Sequence, residues 1–106
     1  MSKNPHLIKF TFTSFLEFMI LKMVKDRSYS AQEVRNKLKE IDIEAPLGTI
    51  YPVFKKIRAK GLVSSGPEEF DDGSIQKTCC LNDKGRQYLT ELLREWKHLN
   101  RFIAGL

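Results

Sequence analysis

Apolar residues recur with helical spacing between Ala45 and Val63. Four of them form one stripe along the predicted helix, and Gly61 stands where a glycine often ends a helix. The stripe consists of Ile50, Val53, Phe54 and Ile57. This pattern predicts an amphipathic helix that buries one face and exposes the other.

The exposed face of that helix is cationic and offers hydrogen-bonding side chains. No acidic residue lies between Pro46 and Pro67. A helix with one buried and one cationic face has the properties needed to read bases in the major groove of double-stranded DNA. We therefore expect DNA contacts from Thr49, Tyr51, Lys55 and Lys56, with Arg58 and Lys60 at the periphery.

Two further helices are predicted ahead of this one. Ser14 with Glu17 forms a capping-box pattern before a broad apolar stripe, which indicates a core helix. Ser30 with Glu33 repeats the pattern before a second helix that runs to about residue 40. The outer face of the second helix carries cations that either rest on phosphates or only face solvent. They are Arg35, Lys37 and Lys39.

Residues 1–12 have a less decisive pattern. Ile8, Phe10 and Phe12 alternate with polar residues in strand period, so an extended arm is one interpretation. A helical arm that packs Leu7, Ile8 and Phe12 on a partner fits the same residues. The sequence leaves both conformations open.

Two short β-prone runs follow the amphipathic helix. Leu62 to Ser65 and Ile75 to Leu81 flank a segment rich in Gly, Pro and Asp, which form turns. A hairpin directly after the third of three helices makes a winged helix-turn-helix. Asn82 then caps a long final helix. The predicted fold class is mainly α with a small β-hairpin (α+β): a winged helix-turn-helix with a long C-terminal helix.

The wing predicted between the two β-runs is acidic. Its acids are Glu68, Glu69, Asp71 and Asp72. Because acids close to phosphates weaken DNA binding, we expect them to point away from the duplex. Ser74, Gln76 and Lys77 are then the wing residues expected to approach the DNA backbone.

The final helix has a regular heptad pattern. Its apolar residues step alternately by three and four and consist of Leu89, Leu92, Trp96, Leu99, Ile103 and Leu106. Such a seam favours a partner helix, so we expect a homodimer; packing onto the first helix of the same chain is the alternative, and both can hold. We therefore divide the chain into a winged-helix DNA-binding domain with its N-terminal arm, residues 1–81, and a dimerisation helix, residues 82–106, within one compact unit.

The charge of the chain suits a polyanionic partner. Lys and Arg number 18 against 13 Asp and Glu, which gives a formal net charge of +5. No apolar run is long enough to span a membrane, and the N-terminus lacks the order of a signal peptide, so we expect a cytoplasmic protein without membrane contact.

Catalytic and metal chemistry find little support in the sequence. Cys79 and Cys80 are adjacent, and no spacing links them to His6 or His98, so neither a disulfide framework nor a metal site is predicted. No nucleophile-base arrangement and no phosphate-binding glycine loop is present. We expect no cofactor and no enzymatic activity.

Two segments together resemble a known family. GTIYPVFKKIRAKGLV, followed after a turn-rich gap by LNDKGRQYLTELLREW, resembles the PadR family of bacterial transcriptional regulators. The family's third helix carries GTLYP-x-L-x-x-L-x-x-x-G-L, and its last helix opens with L-T-x-x-G-R. The short C-terminal region is similar to the small subclass, which has a single C-terminal dimerisation helix.

The resemblance implies a homodimeric repressor with its third helix in the major groove of a pseudo-palindromic operator. It also implies release by a small planar aromatic effector, because some members of the small subclass bind such molecules beside a tryptophan at the dimer interface. Trp96 stands where that tryptophan would fall, and Phe15, Met19 and Leu93 are the further residues expected to border such a pocket.

Two departures from the family pattern favour an alternative. The second helix begins SAQEV where the family has H-G-Y-E-I, so Gln32 replaces an aromatic residue. The wing is acidic where family wings are rich in Gly and Arg. A winged-helix module that binds another protein, with weak or no DNA binding, is the second hypothesis.

Overall fold

The computed structural model describes residues 12–70 and 72–106, and the interpretations of the N-terminal arm lie outside the described residues, except for the backbone of Phe12. Within these described residues, four helices and three strands follow one another in the order α1, β1, α2, α3, β2, β3, α4. They are α1 (Phe12–Met23), β1 (Tyr29–Ser30), α2 (Ala31–Lys39), α3 (Leu47–Ala59), β2 (Val63–Glu69), β3 (Ile75–Leu81) and α4 (Asp83–Ala104). The predicted fold class is confirmed.

The two predicted capping boxes have different outcomes. Ser30 caps α2 as expected: its hydroxyl accepts from the Glu33 backbone N–H at 3.1 Å, and the Glu33 carboxylate accepts from the Ser30 N–H at 3.0 Å. The box at Ser14 and Glu17 is wrong, because α1 begins at Phe12 and Glu17 lies inside the helix with a buried side chain. Glu17 instead pairs with two lysines of α3.

The exit from α3 is closed by a glycine, as predicted. Gly61 has a φ of 72°, in the left-handed region that an L residue enters only with strain. Its N–H donates to the Arg58 carbonyl at 2.9 Å, and the Leu62 N–H donates to the Ile57 carbonyl at 3.1 Å. These two bonds form a Schellman motif, which buries Leu62 against Ile57 and directs the chain into β2.

The sheet is larger than the predicted hairpin. The strand order is β1-β3-β2, and both pairings are antiparallel. The strand β1 has no counterpart in the predicted hairpin, because two residues are too few to show a strand period. The strand β2 continues to Glu69, through Gly66 and Pro67, where a turn was predicted. An edge strand tolerates Pro67, since a proline lacks only an N–H that can face away from the neighbouring strand.

One apolar core joins the helices to the base of the sheet. It includes Ile20 and Leu21 of α1, Val34 of α2, the buried stripe of α3 and Leu89 of α4. The first residues of α4 are also tied to the end of α3 by hydrogen bonds. The Asn82 side chain donates to the Gly61 carbonyl at 2.9 Å and accepts from the Gly85 N–H at 2.8 Å, which caps α4 as predicted.

Candidate nucleic-acid interface

The helix α3 separates its two faces as its sequence pattern predicts. Its apolar stripe is buried, with Ile50 and Ile57 completely inaccessible. On the opposite face Tyr51 is 57% exposed, and Lys55 and Lys56 are exposed as well. Thr49 is half-buried at the edge of this surface. The exposed face therefore offers a phenol, a hydroxyl and two ammonium groups along about two helical turns.

Glycine and proline near the start of α3 break ordinary helix rules. Gly48 does not have a positive φ, and a Cβ added to it would meet no atom within 4 Å. Pro52 lies inside the helix and is exposed, although its ring removes the hydrogen bond to the Gly48 carbonyl. Since neither residue is needed for packing, their presence points to a role at the exposed surface.

Glu17 of α1 binds two lysines of α3. Its Oε1 accepts a hydrogen bond from Lys60 Nζ at 2.9 Å, and its Oε2 lies 3.3 Å from Lys56 Nζ. Lys60 Nζ also donates to the hydroxyl of Tyr88 in α4 at 3.1 Å. The Lys60 ammonium, expected at the periphery of the DNA surface, is therefore engaged by a carboxylate whose side chain is only 6% exposed.

The contacts of Lys60 with Glu17 and Tyr88 change the pKa of its ammonium. Burial alone would lower the pKa of Lys60, but its hydrogen bonds to Glu17 and Tyr88 and the Glu17 charge outweigh that effect. The pKa of Lys60 therefore lies above its ordinary value of 10.5, and the ammonium stays charged at neutral pH.

Arg58 of α3 lies close to the Cys79 thiol in β3. Burial raises the pKa of the Cys79 thiol in β3, and the nearby Arg58 guanidinium and Lys77 ammonium oppose that rise. Arg58 itself is half-buried. Cys79 is fully buried, and no group of His, Cys, Asp and Glu within residues 12–70 and 72–106 is arranged to hold a metal ion.

The cations of α2 are less available than those of α3. Lys37 is exposed but pairs with Glu40 at 3.2 Å. Arg35 is half-buried, and its Nε is buried without a hydrogen-bond partner among the described residues. A phosphate contact by Lys37 would therefore compete with its ion pair to Glu40.

The wing places acids on both of its faces. Glu68 and Glu69 are consecutive exposed residues of β2, and consecutive side chains of a strand point to opposite faces. These two acids therefore do not share one face of the wing. Gln76 donates to the Ser74 hydroxyl at 3.1 Å, and Lys77 is exposed on β3.

The wing turn is held by Asp72. Its carboxylate accepts hydrogen bonds from the Ser74 hydroxyl at 2.6 Å and from the Ser74 N–H at 2.9 Å. These bonds lower the pKa of Asp72 below its ordinary value of 3.8. Asp72 therefore keeps its negative charge, and the wing offers the backbone of a duplex little net attraction.

This arrangement of an amphipathic third helix and a hairpin wing has known counterparts. Residues 20–91 match the transcriptional regulator PadR-like family. The chain belongs to that family. Because PadR proteins regulate transcription, the expectation that the chain is not an enzyme is confirmed by this membership rather than by the structure.

Solved PadR-like structures resemble the chain over most of its length. A PadR-like transcription factor from Bacteroides fragilis is 29% identical, with a TM-score of 0.76 over 88% of this chain and 90% of its own. A protein from Streptococcus mutans is 24% identical, with a TM-score of 0.81 over 93% and 92%. Bacillus subtilis PadR in complex with operator DNA is 23% identical, with a TM-score of 0.66 over 87% and 61%.

The C-terminal helix of this PadR protein has two different halves. Leu89 is only 2% exposed, so it belongs to the core of its own chain, and its assignment to a dimer seam is corrected. Leu92 and Leu93 are half-buried against that core. Farther along, Ile103 is 62% and Leu106 89% exposed. Only the second half of the predicted seam is therefore free to meet another helix.

Trp96 lies at the boundary between these halves and packs on α1. Its ring centroid is 5.6 Å from that of Phe18, in a stacked arrangement, and 6.0 Å from that of Phe15. Met19 lines an open groove of about 500 Å³, together with Phe18 and Tyr29. Of the four residues predicted for an effector pocket, Trp96 and Phe15 are in ring contact, Met19 lines this groove beside Phe18, and Leu93 is half-buried against the core.

The described helices give no sign of a membrane segment. None of them, in residues 12–70 and 72–106, is both long and apolar enough to cross a bilayer.

Proposed function

We propose that this PadR protein is a homodimeric transcriptional repressor that binds a pseudo-palindromic duplex operator with α3. The exposed face of α3 carries the proposal, since it combines Tyr51, Lys55 and Lys56 with no acidic residue in the helix. The operator complex of Bacillus subtilis PadR supports it, because that protein shares the fold and binds operator DNA. Thr49, Gln76 and Lys77 complete the proposed surface, with Arg58, Arg35 and Lys37 beside it.

Dimerisation is proposed through the second half of α4. Phe102 and Ile103 are exposed apolar side chains of the last turn of α4, Leu106 is exposed just after the helix ends, and Leu99 is half-buried one turn before Ile103. Burying such a side chain contributes roughly 1.5–3 kcal/mol, so the three exposed residues of each chain give a substantial gain against the cost of association. Two copies would present two α3 helices, and a two-fold axis would relate the half-sites that they read.

Release by a small planar aromatic molecule is the last part of the proposal. Trp96 is half-buried, and it stacks on Phe18 near the exposed end of α4. An aromatic effector that inserts beside these rings would alter the packing of α4 on α1 and so the spacing of the two α3 helices.

A salt titration with a matched pair of variants tests DNA binding. Affinity for a random-sequence duplex is measured for the parent protein, Lys55→Ala and Lys97→Ala, both of which remove one exposed lysine. We expect the logarithm of affinity to fall linearly with the logarithm of salt concentration, and Lys55→Ala to reduce that slope by about 0.9.

Lys97 lies on α4, so Lys97→Ala should change the slope much less. Absence of measurable binding at low salt would remove the repressor proposal and favour the hypothesis of a protein partner for the acidic wing. Equal effects of the two variants would show that α3 is not the surface that meets DNA.

A further inference from the structure

Glu17 is a buried acid in the middle of a core helix. Its neighbours Leu16, Ile20 and Leu21 are at most 1% exposed, and its own side chain is 6% exposed. A charge is costly in such surroundings unless opposite charges compensate it, and apolar residues of similar size often serve stability as well or better. Stability therefore does not by itself explain an ion pair at this position.

The partners of Glu17 lie on the helix that carries the proposed DNA surface. Lys56 and Lys60 are one turn apart on α3, so each reaches a different oxygen of the same carboxylate. Two contacts one turn apart resist rotation of α3 about its own axis. That rotation decides where Tyr51 and Lys55 point, because they are on the same helix.

The contacts of Glu17 with Lys56 and Lys60 also connect α3 to the helix that carries the proposed dimer contact. Lys60 Nζ donates to the Tyr88 hydroxyl and lies 5.1 Å from the centroid of the Tyr88 ring. Tyr88 is on α4, and Glu17 is next to Phe18, which stacks on Trp96. One buried carboxylate thus meets the recognition helix at the junction of α1 and α4.

Glu17 changes the charge that α3 offers as well as its orientation. Lys56, Lys60 and Glu17 together carry one net positive charge instead of the two of the lysines alone. The Lys56 side chain is still 47% exposed, but its ammonium is shared with the carboxylate. Glu17 therefore reduces the attraction of Lys56 for phosphates and leaves that of the neighbouring exposed Lys55 unchanged.

We propose that Glu17 is a positioning residue for DNA reading, which fixes the rotation of α3 through Lys56 and Lys60 and lowers the attraction of α3 for phosphates of any sequence. Base contacts then contribute a larger share of the affinity than phosphate contacts, which carry no sequence information. This inference rests on the proposed function, since it assigns a role within the same DNA surface.

Two neutralised acids test the role of Glu17. Glu17→Gln keeps the shape of the side chain and an oxygen acceptor for Lys60, and Glu91→Gln makes the same charge change at an exposed site of α4. Affinity for a random-sequence duplex is measured against salt. We expect Glu17→Gln to bind more tightly at low salt, with a slope steeper by about 0.9, and Glu91→Gln to keep a slope close to that of the parent.

A second comparison holds even if Glu17→Gln does not fold. In the parent protein, Lys55→Ala should reduce the salt slope by about 0.9 and Lys56→Ala by clearly less, because Glu17 already offsets the Lys56 charge. When Glu17→Gln does fold, the two lysine variants should have equal effects in its background.

The outcomes separate this inference from the function on which it rests. Equal losses for Lys55→Ala and Lys56→Ala in the parent, or equal slopes for Glu17→Gln and Glu91→Gln, would overturn the role of Glu17 while leaving DNA binding intact. A parent protein that binds no duplex would overturn the proposed function and this inference with it.

Discussion

Gly85 at the start of α4 lies directly against the backbone carbonyl of Leu62 at the exit of α3. A Cβ added to Gly85 would overlap that oxygen and would also collide with the Leu81 side chain. Beside this contact, Lys84 Nζ donates to the Lys60 carbonyl at 3.0 Å. Glycine is therefore required for the close approach that sets the direction of α4 relative to α3.

Replacing Gly85 with Ala should destabilise the fold by about 3 kcal/mol, because backbone atoms at the junction must move to admit the methyl group. Gly66→Ala is the control, since a Cβ there would meet no atom within 4 Å. Urea denaturation of both variants measures the difference. A Gly85→Ala protein as stable as Gly66→Ala would show that the backbone at this junction moves to admit the methyl group at little cost in free energy.

The elements that local backbone chemistry determines were predictable from sequence. The Ser30 cap, the Asn82 cap and the Gly61 exit each follow from groups within a few residues, and the structure contains all three. Ser14 with Glu17 has the same spacing as Ser30 with Glu33, yet its acid bonds to Lys60, which is 43 positions away. A local pattern cannot distinguish a cap from a long-range ion pair.

In the candidate site too, local patterns were predictable from sequence and long-range contacts were not. Periodicity predicted which residues of α3 are exposed, but the length of a lysine side chain allowed Lys60 to turn inward. One signal was present in the sequence: Glu17 stands within the apolar stripe of α1, and a buried acid requires a cationic partner. Two lysines one turn apart on α3 were candidates for that partner.

Alanine at Gly48, inside α3, and at Gly61, just after α3, should have opposite effects on stability. Gly48→Ala should stabilise the protein by about 0.5–1 kcal/mol, since Gly48 has ordinary helical φ and open space around it. Gly61→Ala should cost about 1–2 kcal/mol, because its φ of 72° strains an L residue. Thermal unfolding provides the comparison.

The affinity of Gly48→Ala for duplex DNA tests why Gly48 is present. A methyl group at the exposed start of α3 should weaken duplex binding although it strengthens the fold, if the DNA backbone approaches there closely. Gly48→Ala with both higher stability and unchanged affinity would refute that role.

Charged substitutions in α4 should separate its two halves. Ile103→Asp should give a folded monomer, because Ile103 is 62% exposed within the chain and its proposed contacts lie on a second copy. Leu89→Asp should unfold the protein, since Leu89 is in the core. Light scattering gives the mass, and circular dichroism the folding. Asn100→Asp, at an exposed position, controls for the added charge, and a dimeric Ile103→Asp protein would exclude the seam.

The stability of the fold should decrease in alkaline solution. The pKa of Lys60 is raised above 10.5 in the folded protein, so its ion pair stabilises fully below that pH and is lost as the pH rises through the folded value. The Cys79 thiol acts in the same direction from its ordinary value of 9.0, because burial raises its pKa. Urea denaturation from pH 8 to 11 should show the difference between the parent and Lys60→Met narrowing above pH 10.5. A constant difference would mean that the ammonium charge does not contribute.

The fluorescence of Trp96 should report an effector if one binds beside the α1 and α4 rings. The sequence contains a single Trp, so the emission comes from the residue that stacks on Phe18 at 5.6 Å. Planar aromatic cations and acids should change that emission saturably, and those that do should also weaken duplex binding, because the two effects are linked through one conformational equilibrium. Phe18→Leu removes the stacking partner and should reduce the response without abolishing folding. A flat response to the whole panel would leave Trp96 as a packing residue between α1 and α4 and would remove effector release from the proposed mechanism.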